Sequence, residues 1–185
     1  MTDIQVVGLS GNIARPSKTS GFVGHIANQV AERIGGVAQT FDLEDLGASL
    51  GQARRIDDLE PAGRAIVTRM SNATVLVVGS PTYKGSYTGL FKHFVDLLDP
   101  SFLRGKPVIL AATGGGERHS LIVEHQLRPL FGFFEALTIP TGIYASDRDF
   151  TSGVLVSEAI QARVHQAVEE ADRLVARPSG VSLAA

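Results

Sequence analysis

The stretch TVLVVGS, residues 74–80, narrows the folds open to this chain more than any other. Val75, Leu76, Val77 and Val78 leave no polar face on the strand they would form. Such a strand must be covered on both sides, as a central strand of a parallel sheet is. Weaker runs of the same kind recur. IQVVGL (4–9) ends in Ser-Gly-Asn, and VAQTFDL (37–43) alternates Phe41 with Leu43. KPVILAAT (106–113) runs into three glycines, and TGIYAS (141–146) is a fifth, weaker candidate.

Between these runs lie stripes of helical period. Phe22, Val23, Ile26, Ala27, Val30 and Ile34 make the first, with Thr19 or Ser20 as its N-cap and Gly35-Gly36 as its stop. Pro61 opens a second that carries Ala62, Ile66, Met70 and Ala73. Leu90, Phe91, Phe94, Val95, Leu97 and Leu98 form a third, stopped by Pro100. A long fourth is marked from Leu121 to Leu137, and a last one by Ile160, Val164, Ala167, Val168, Ala171 and Leu174. Residues 44–60 read as a polar, irregular loop. Strand-like and helix-like segments thus alternate five times. That pattern predicts an α/β fold, a doubly wound five-stranded parallel sheet with helices on both faces.

Charge and composition exclude several functions. The formal net charge of −2 supplies no positive field for a nucleic acid. There is no cysteine, so disulfides, thiolate nucleophiles and cysteine metal sites are ruled out, and a reducing cytoplasm is the expected setting. The opening MTDIQVVGLSG lacks the basic and apolar regions of a signal peptide. No run approaches the roughly 18 apolar residues that would span a bilayer. His119 and His125 are six residues apart and share no helix face, so no metal site is expected.

In an open parallel sheet ordered 2-1-3-4-5, a ligand sits beyond the carboxyl ends of strands one, three and four. The loops at those places are SGNIARPSKTS, SPTYKGSYTG and TGGGERH. The first approaches a P-loop, but Ser17 stands where Gly would precede Lys18. It offers the hydroxyls of Ser10, Ser17, Thr19 and Ser20, the cations Arg15 and Lys18, and free amides at a helix start. A single phosphate monoester suits that set better than a triphosphate, although a plain capped helix with solvated charges has the same residues. In the second loop, a planar ring could lie near Tyr83 and Tyr87 with backbone around Gly85 at its edge, or the tyrosines could simply pack the loop. In the third, Gly114 and Gly115 allow close approach of a flat ligand, and their amides could stabilise developing negative charge. Pro129 falls inside the fourth helix and crowds the carbonyl of His125, so the helix should kink or bulge there.

Taken together, GNIARPSKTS, SPTYKGSYTGLFKHFVDLL and ATGGGERHSLIVEHQLRPLF resemble the flavodoxin-like NAD(P)H-dependent FMN reductases. The likeness is greatest to the reductase components of two-component alkanesulfonate and methanesulfonate monooxygenase systems. It implies one FMN-binding domain over residues 1–176; the remaining RPSGVSLAA, 177–185, reads from its own residues as a mobile tail. The resemblance implies that Ser17, Lys18, Thr19 and Ser20 hold the FMN phosphate, with Ser10 and Arg15 nearby. Pro81, Thr82, Tyr83, Lys84, Gly85 and Ser86 would border the ribityl chain and ring. Thr113, Gly114 and Gly115 would meet the pyrimidine side, with His119 a further candidate. His125 matches the place where this group can carry a π-helix at an oligomer interface. The implied activity is hydride transfer from NADH or NADPH to FMN, with no obligatory protein acid or base. Reduced flavin would pass to an FMN-dependent monooxygenase, and the protein would be a homodimer or homotetramer. The alternatives are a flavin-retaining quinone or azo reductase and, from another class, a flavodoxin-type electron carrier.

Overall fold

The computed structural model describes residues 4–176. The expected mobile tail, 177–185, lies outside them. Strands β1 (Gln5–Ser10), β2 (Val37–Asp42), β3 (Val75–Pro81) and β4 (Pro107–Gly114) run parallel in the order β2-β1-β3-β4. Helices α1 (Lys18–Ile34), α2 (Pro61–Asn72) and α3 (Gly89–Asp96) connect them, as the alternation predicts. The last helix, α5, spans Glu158–Val175.

The two faces of β3 show why its sequence is apolar throughout. Leu76 and Val78 enter a core with Met70 of α2 and with Phe91 and Phe94 of α3. Val75 and Val77 enter a second core with Phe22, Val23 and Ile26 of α1 and Val164 and Ala167 of α5. Each fully buried Val, Leu or Phe adds about 1.5–3 kcal/mol of transfer free energy. The sheet therefore presents the loops at its carboxyl edge from a rigid base.

Four expectations need correction. The N-cap of α1 is Ser17, whose hydroxyl accepts from the Ser20 amide at 3.2 Å, so the helix begins ahead of Thr19 and Ser20. Segment 44–60 is irregular apart from two 3₁₀ turns, but Leu46, Leu50 and Leu59 are buried in the core rather than solvated.

The fifth strand is split. β5 (Leu137–Thr138) pairs with Pro107 and Val108, and β6 (Ile143–Ser146) pairs with Ala111 to Gly114, both on the same edge of β4. Pro140 has no amide to offer the ladder between them. The freed backbone groups turn to α5 instead. The Thr141 amide donates to the Glu170 carboxylate at 2.9 Å, and the Gly142 carbonyl accepts from Arg163 at 2.7 and 3.1 Å.

The fourth helix is not one long helix. It consists of a π-helical turn at Val123–Leu127 followed by the short α4, Arg128–Gly132, and Leu137 belongs to β5. The expected bulge is present and is centred on His125. The Arg128 amide reaches back five residues, to the Val123 carbonyl. An unforeseen hairpin, β7 (Phe150–Thr151) with β8 (Val154–Leu155), follows β6 and turns on Ser152 and Gly153, both at positive φ. Its Phe150 ring packs edge-on against Phe22, 5.6 Å between centroids.

Candidate flavin cleft

The loops after β1, β3 and β4 meet around one cleft of about 290 Å3. Its first wall is the segment from Asn12 to Thr19. Gly11 lets this segment leave the sheet, because a Cβ there would stand 2.9 Å from the Phe91 ring. The Gly11 amide donates to Gly79 at 2.7 Å, and its carbonyl accepts from the Thr88 hydroxyl at 2.7 Å. Lys18 and Thr19 occupy the first turn of α1, where amides have no acceptor inside the helix. The Thr19 hydroxyl is buried and lies 2.7 Å from that of Thr113 at the end of β4.

The second wall is Pro81, Thr82 and Tyr83. Thr82 is fixed twice to the Thr113 carbonyl, by its amide at 2.7 Å and its hydroxyl at 2.9 Å. Tyr83 stays half exposed, and beyond it Lys84 and Gly85 form a tight turn at φ 54° and 88°.

The third wall is Thr113, Gly114 and Gly115. At Gly114 a Cβ would stand 2.4 Å from the Tyr144 hydroxyl and 3.2 Å from that of Thr82. Tyr144 in turn donates to the Gly116 carbonyl at 2.6 Å, which holds the glycine loop from behind. Burial raises the Tyr144 phenol above its ordinary pKa, so the hydroxyl stays a donor. Gly115 has open space on the Cβ side, with only an Asp147 oxygen at 4.0 Å.

Of the expected phosphate residues, Ser17, Lys18 and Thr19 line the cleft. Ser20 serves the cap. Arg15 is turned away: its guanidinium bonds both Asp42 oxygens, at 2.6 and 2.7 Å, and reaches Asp45 at 2.7 Å. Burial pushes the Asp42 carboxyl upward, but hydrogen bonds from Arg15 and Asn12 outweigh it and hold the group below the ordinary carboxylate range. Lys84, Gly85 and Ser86 continue past Tyr83 beyond the cleft lining, and the Ser86 hydroxyl donates to Gln126 of the π turn at 3.2 Å. His119 sits on the 3₁₀ turn after the glycines and accepts from the Arg118 guanidinium at 3.1 Å. His125 faces a different groove, of about 650 Å3, with Tyr87, Gln126, Pro129 and Phe133.

A protein-family model described as NADPH-dependent FMN reductase matches residues 4–151. The chain belongs to this family. It is an oxidoreductase that uses a reduced nicotinamide nucleotide and FMN, and is not a flavodoxin-type carrier. An FMN reductase (NADPH) of Pseudomonas aeruginosa is 41% identical over 167 residues, covering 90% of each chain. The NADH-dependent FMN reductase SfnF of Pseudomonas fluorescens is 40% identical over 168 residues, 91% of this chain and 90% of that one. Among solved structures, an oxidoreductase from Corynebacterium diphtheriae superposes with a TM-score of 0.85 at 31% identity, covering 95% of this chain and 98% of that one.

The residues of this reductase fit FMN on structural grounds. Asn12 lines the cleft, and its buried carbonyl oxygen has no partner among the described residues; the Ser10 hydroxyl is also buried and unpartnered, but Ser10, at the end of β1, is not part of the lining. First-turn amides and the Ser17 hydroxyl line the cleft together with Gly115, whose Cβ side is open. A phosphate suits the amides and hydroxyl, and a flat ring suits the open glycine face. Four lining residues lie outside the set expected from sequence: Asn12, Ala14, Pro16 and Asp147. Asn12 lies inside the first loop, but only its bond to Asp42 at 3.0 Å shows that its side chain is buried there. Asp147 follows β6 and looks in sequence like a solvated loop charge. Among the described residues no helix is long and apolar enough to cross a membrane.

Proposed function

We propose that residues 1–176 form one FMN-binding domain, with the phosphate at Ser17–Thr19 and the ring between Tyr83 and Gly114–Gly115. The observation that carries this is the convergence of the first turn of α1, the Thr82–Tyr83 segment and the Gly114–Gly115 segment on one cleft. FMN, when bound, supplies the hydride-accepting chemistry. The chain's own part is to position and stabilise. Thr113 ties the three walls together through its hydroxyl and carbonyl. The half-exposed Tyr83 leaves one side of the cleft open to a second planar ligand, the nicotinamide of NADH or NADPH. Amides of Gly114 and Gly115 offer donors where negative charge would develop.

Reduced FMN is the product in this reading and passes to an FMN-dependent monooxygenase in the cytoplasm. The reductase self-associates, as a homodimer or homotetramer, through the apolar groove beside the π turn, where Phe133 is 68% exposed. The decisive experiment mixes purified protein with NADH or NADPH, with and without free FMN, and follows nucleotide oxidation. Turnover that depends on added FMN supports the reading, and turnover only with a quinone or azo acceptor would replace it. Sedimentation of Phe133→Asp against wild type tests the self-association face, with a shift to monomer expected.

A further inference from the structure

Lys18 and Asp147 are the charged side chains lining the flavin cleft among the described residues, and they are paired with each other. Lys18 leads α1, and Asp147 opens the 3₁₀ turn after β6, so the pair ties the first loop to that turn at the cleft. The Lys18 ammonium also lies 5.9 Å from the centre of the Phe150 ring, which packs on Phe22 of the same helix. The backbone that carries Asp147 is held on either side. The neighbouring Arg148 is paired with Glu117 of the glycine loop, and Asp149 accepts from the Ser146 amide and hydroxyl, both at 2.7 Å. Arg15, the other cation of the first loop, is committed to Asp42 and Asp45.

The formal charge lining the cleft is therefore zero. An arriving phosphate meets helix amides and hydroxyls, but the one ammonium in reach already has a carboxylate. We propose that Asp147 sets the flavin affinity of this reductase: it competes with the FMN phosphate for Lys18 and repels it, so that flavin is held loosely enough to leave. The proposal rests on the placement of the phosphate at Ser17–Thr19. Both side chains are well exposed, at 42% and 62%, so the electrostatic effect is modest and is worth a few-fold in affinity rather than several orders of magnitude. A few-fold change is enough to shift a flavin between retention and release when its dissociation constant lies near its working concentration.

The test is equilibrium binding, read by flavin fluorescence, of FMN and of riboflavin to the wild type, Asp147→Asn and Lys18→Met. The Asp147→Asn substitution keeps the side-chain shape and an oxygen that can accept from Lys18, so it removes the charge alone. The expected result is an FMN dissociation constant about five-fold lower in Asp147→Asn. Riboflavin, which has no phosphate, should bind both proteins equally. In the Lys18→Met background the same substitution should gain less. Unchanged or weaker FMN binding by Asp147→Asn would overturn the proposal and make Asp147 a holder of Lys18 instead. An equal gain for riboflavin would also overturn it, by moving the effect to the ring. A wild type that binds FMN no better than riboflavin would refute the phosphate placement itself, a failure distinct from the other two.

Discussion

The hydroxyls of Thr19 and Thr113 meet at 2.7 Å, although 94 residues separate them in the chain. Both side chains are buried, and the contact joins the start of α1 to the end of β4 at the floor of the cleft. Replacing Thr19 with Val removes one partner and leaves the other hydroxyl buried without it. That should cost about 1–3 kcal/mol in denaturant unfolding. Thr19→Val/Thr113→Val should recover part of the stability, because neither hydroxyl is then stranded. FMN binding should stay weakened in the double variant, since the cleft floor remains without hydroxyls.

Adjacent glycines should respond in opposite ways. At Gly114 a methyl group would meet the Tyr144 hydroxyl at 2.4 Å, so Gly114→Ala should destabilise the fold by about 1–3 kcal/mol. Adding Tyr144→Phe should return part of that loss. At Gly115 the methyl group would meet nothing closer than 4.0 Å, so Gly115→Ala should melt like the wild type. It would instead intrude on the open cleft and raise KM for FMN. Thermal unfolding and FMN-dependent turnover, measured on both variants, separate the two outcomes.

The same residues show how much of the molecule could be read in advance. Strands β1, β3 and β4 are apolar runs, and local pattern is enough to find them. The cleft follows, because the fold puts those three strand ends together. Choosing Ser17 over Thr19 as the cap was beyond local pattern, since four hydroxyl residues crowd the loop and Thr113 decides where Thr19 goes. The split of the fifth strand depends on Glu170 and Arg163 taking up backbone groups from α5. The π turn was legible because Pro129 acts on its own helix, whereas the ends of that helix were set by contacts from elsewhere.

Arg128 is the point where the π turn is fastened to the break in the sheet edge. Its guanidinium holds the Glu124 carboxylate in a two-pronged pair and donates to the carbonyls of Ile139 at 2.9 Å and Pro140 at 3.0 Å. These carbonyls lie where the strand is interrupted and have lost their ladder partners. Arg128→Ala should cost about 2 kcal/mol, in the range for hydrogen bonds to a charged group. Arg128→Lys should recover little, because one ammonium cannot serve three acceptors in a fork. Hydrogen exchange at Thr141, Gly142 and Ile143 should rise in both variants, while the amides of β3 remain protected.

Arg15 and Asp42 supply the sharpest test of how the first loop works. If Arg15 acts by anchoring the loop to β2, then Arg15→Ala and Asp42→Asn should raise the FMN dissociation constant to a similar extent. The double variant should be no worse than either, because both remove one anchor. A guanidinium in direct contact with the phosphate would instead make Arg15→Ala far more damaging than Asp42→Asn. The anchor also predicts an acid limb. Asp42 has a depressed pKa in the folded protein, so its contribution to stability is present above the ordinary carboxylate value near 4 and is lost as pH falls through the folded value. Asp42→Asn removes that contribution. Urea midpoints should therefore differ between wild type and Asp42→Asn at neutral pH, and the difference should shrink as pH is lowered below about 4. A gap of constant size across that range would show that Asp42 titrates alike in the folded and unfolded protein, and would refute the anchor's acid limb.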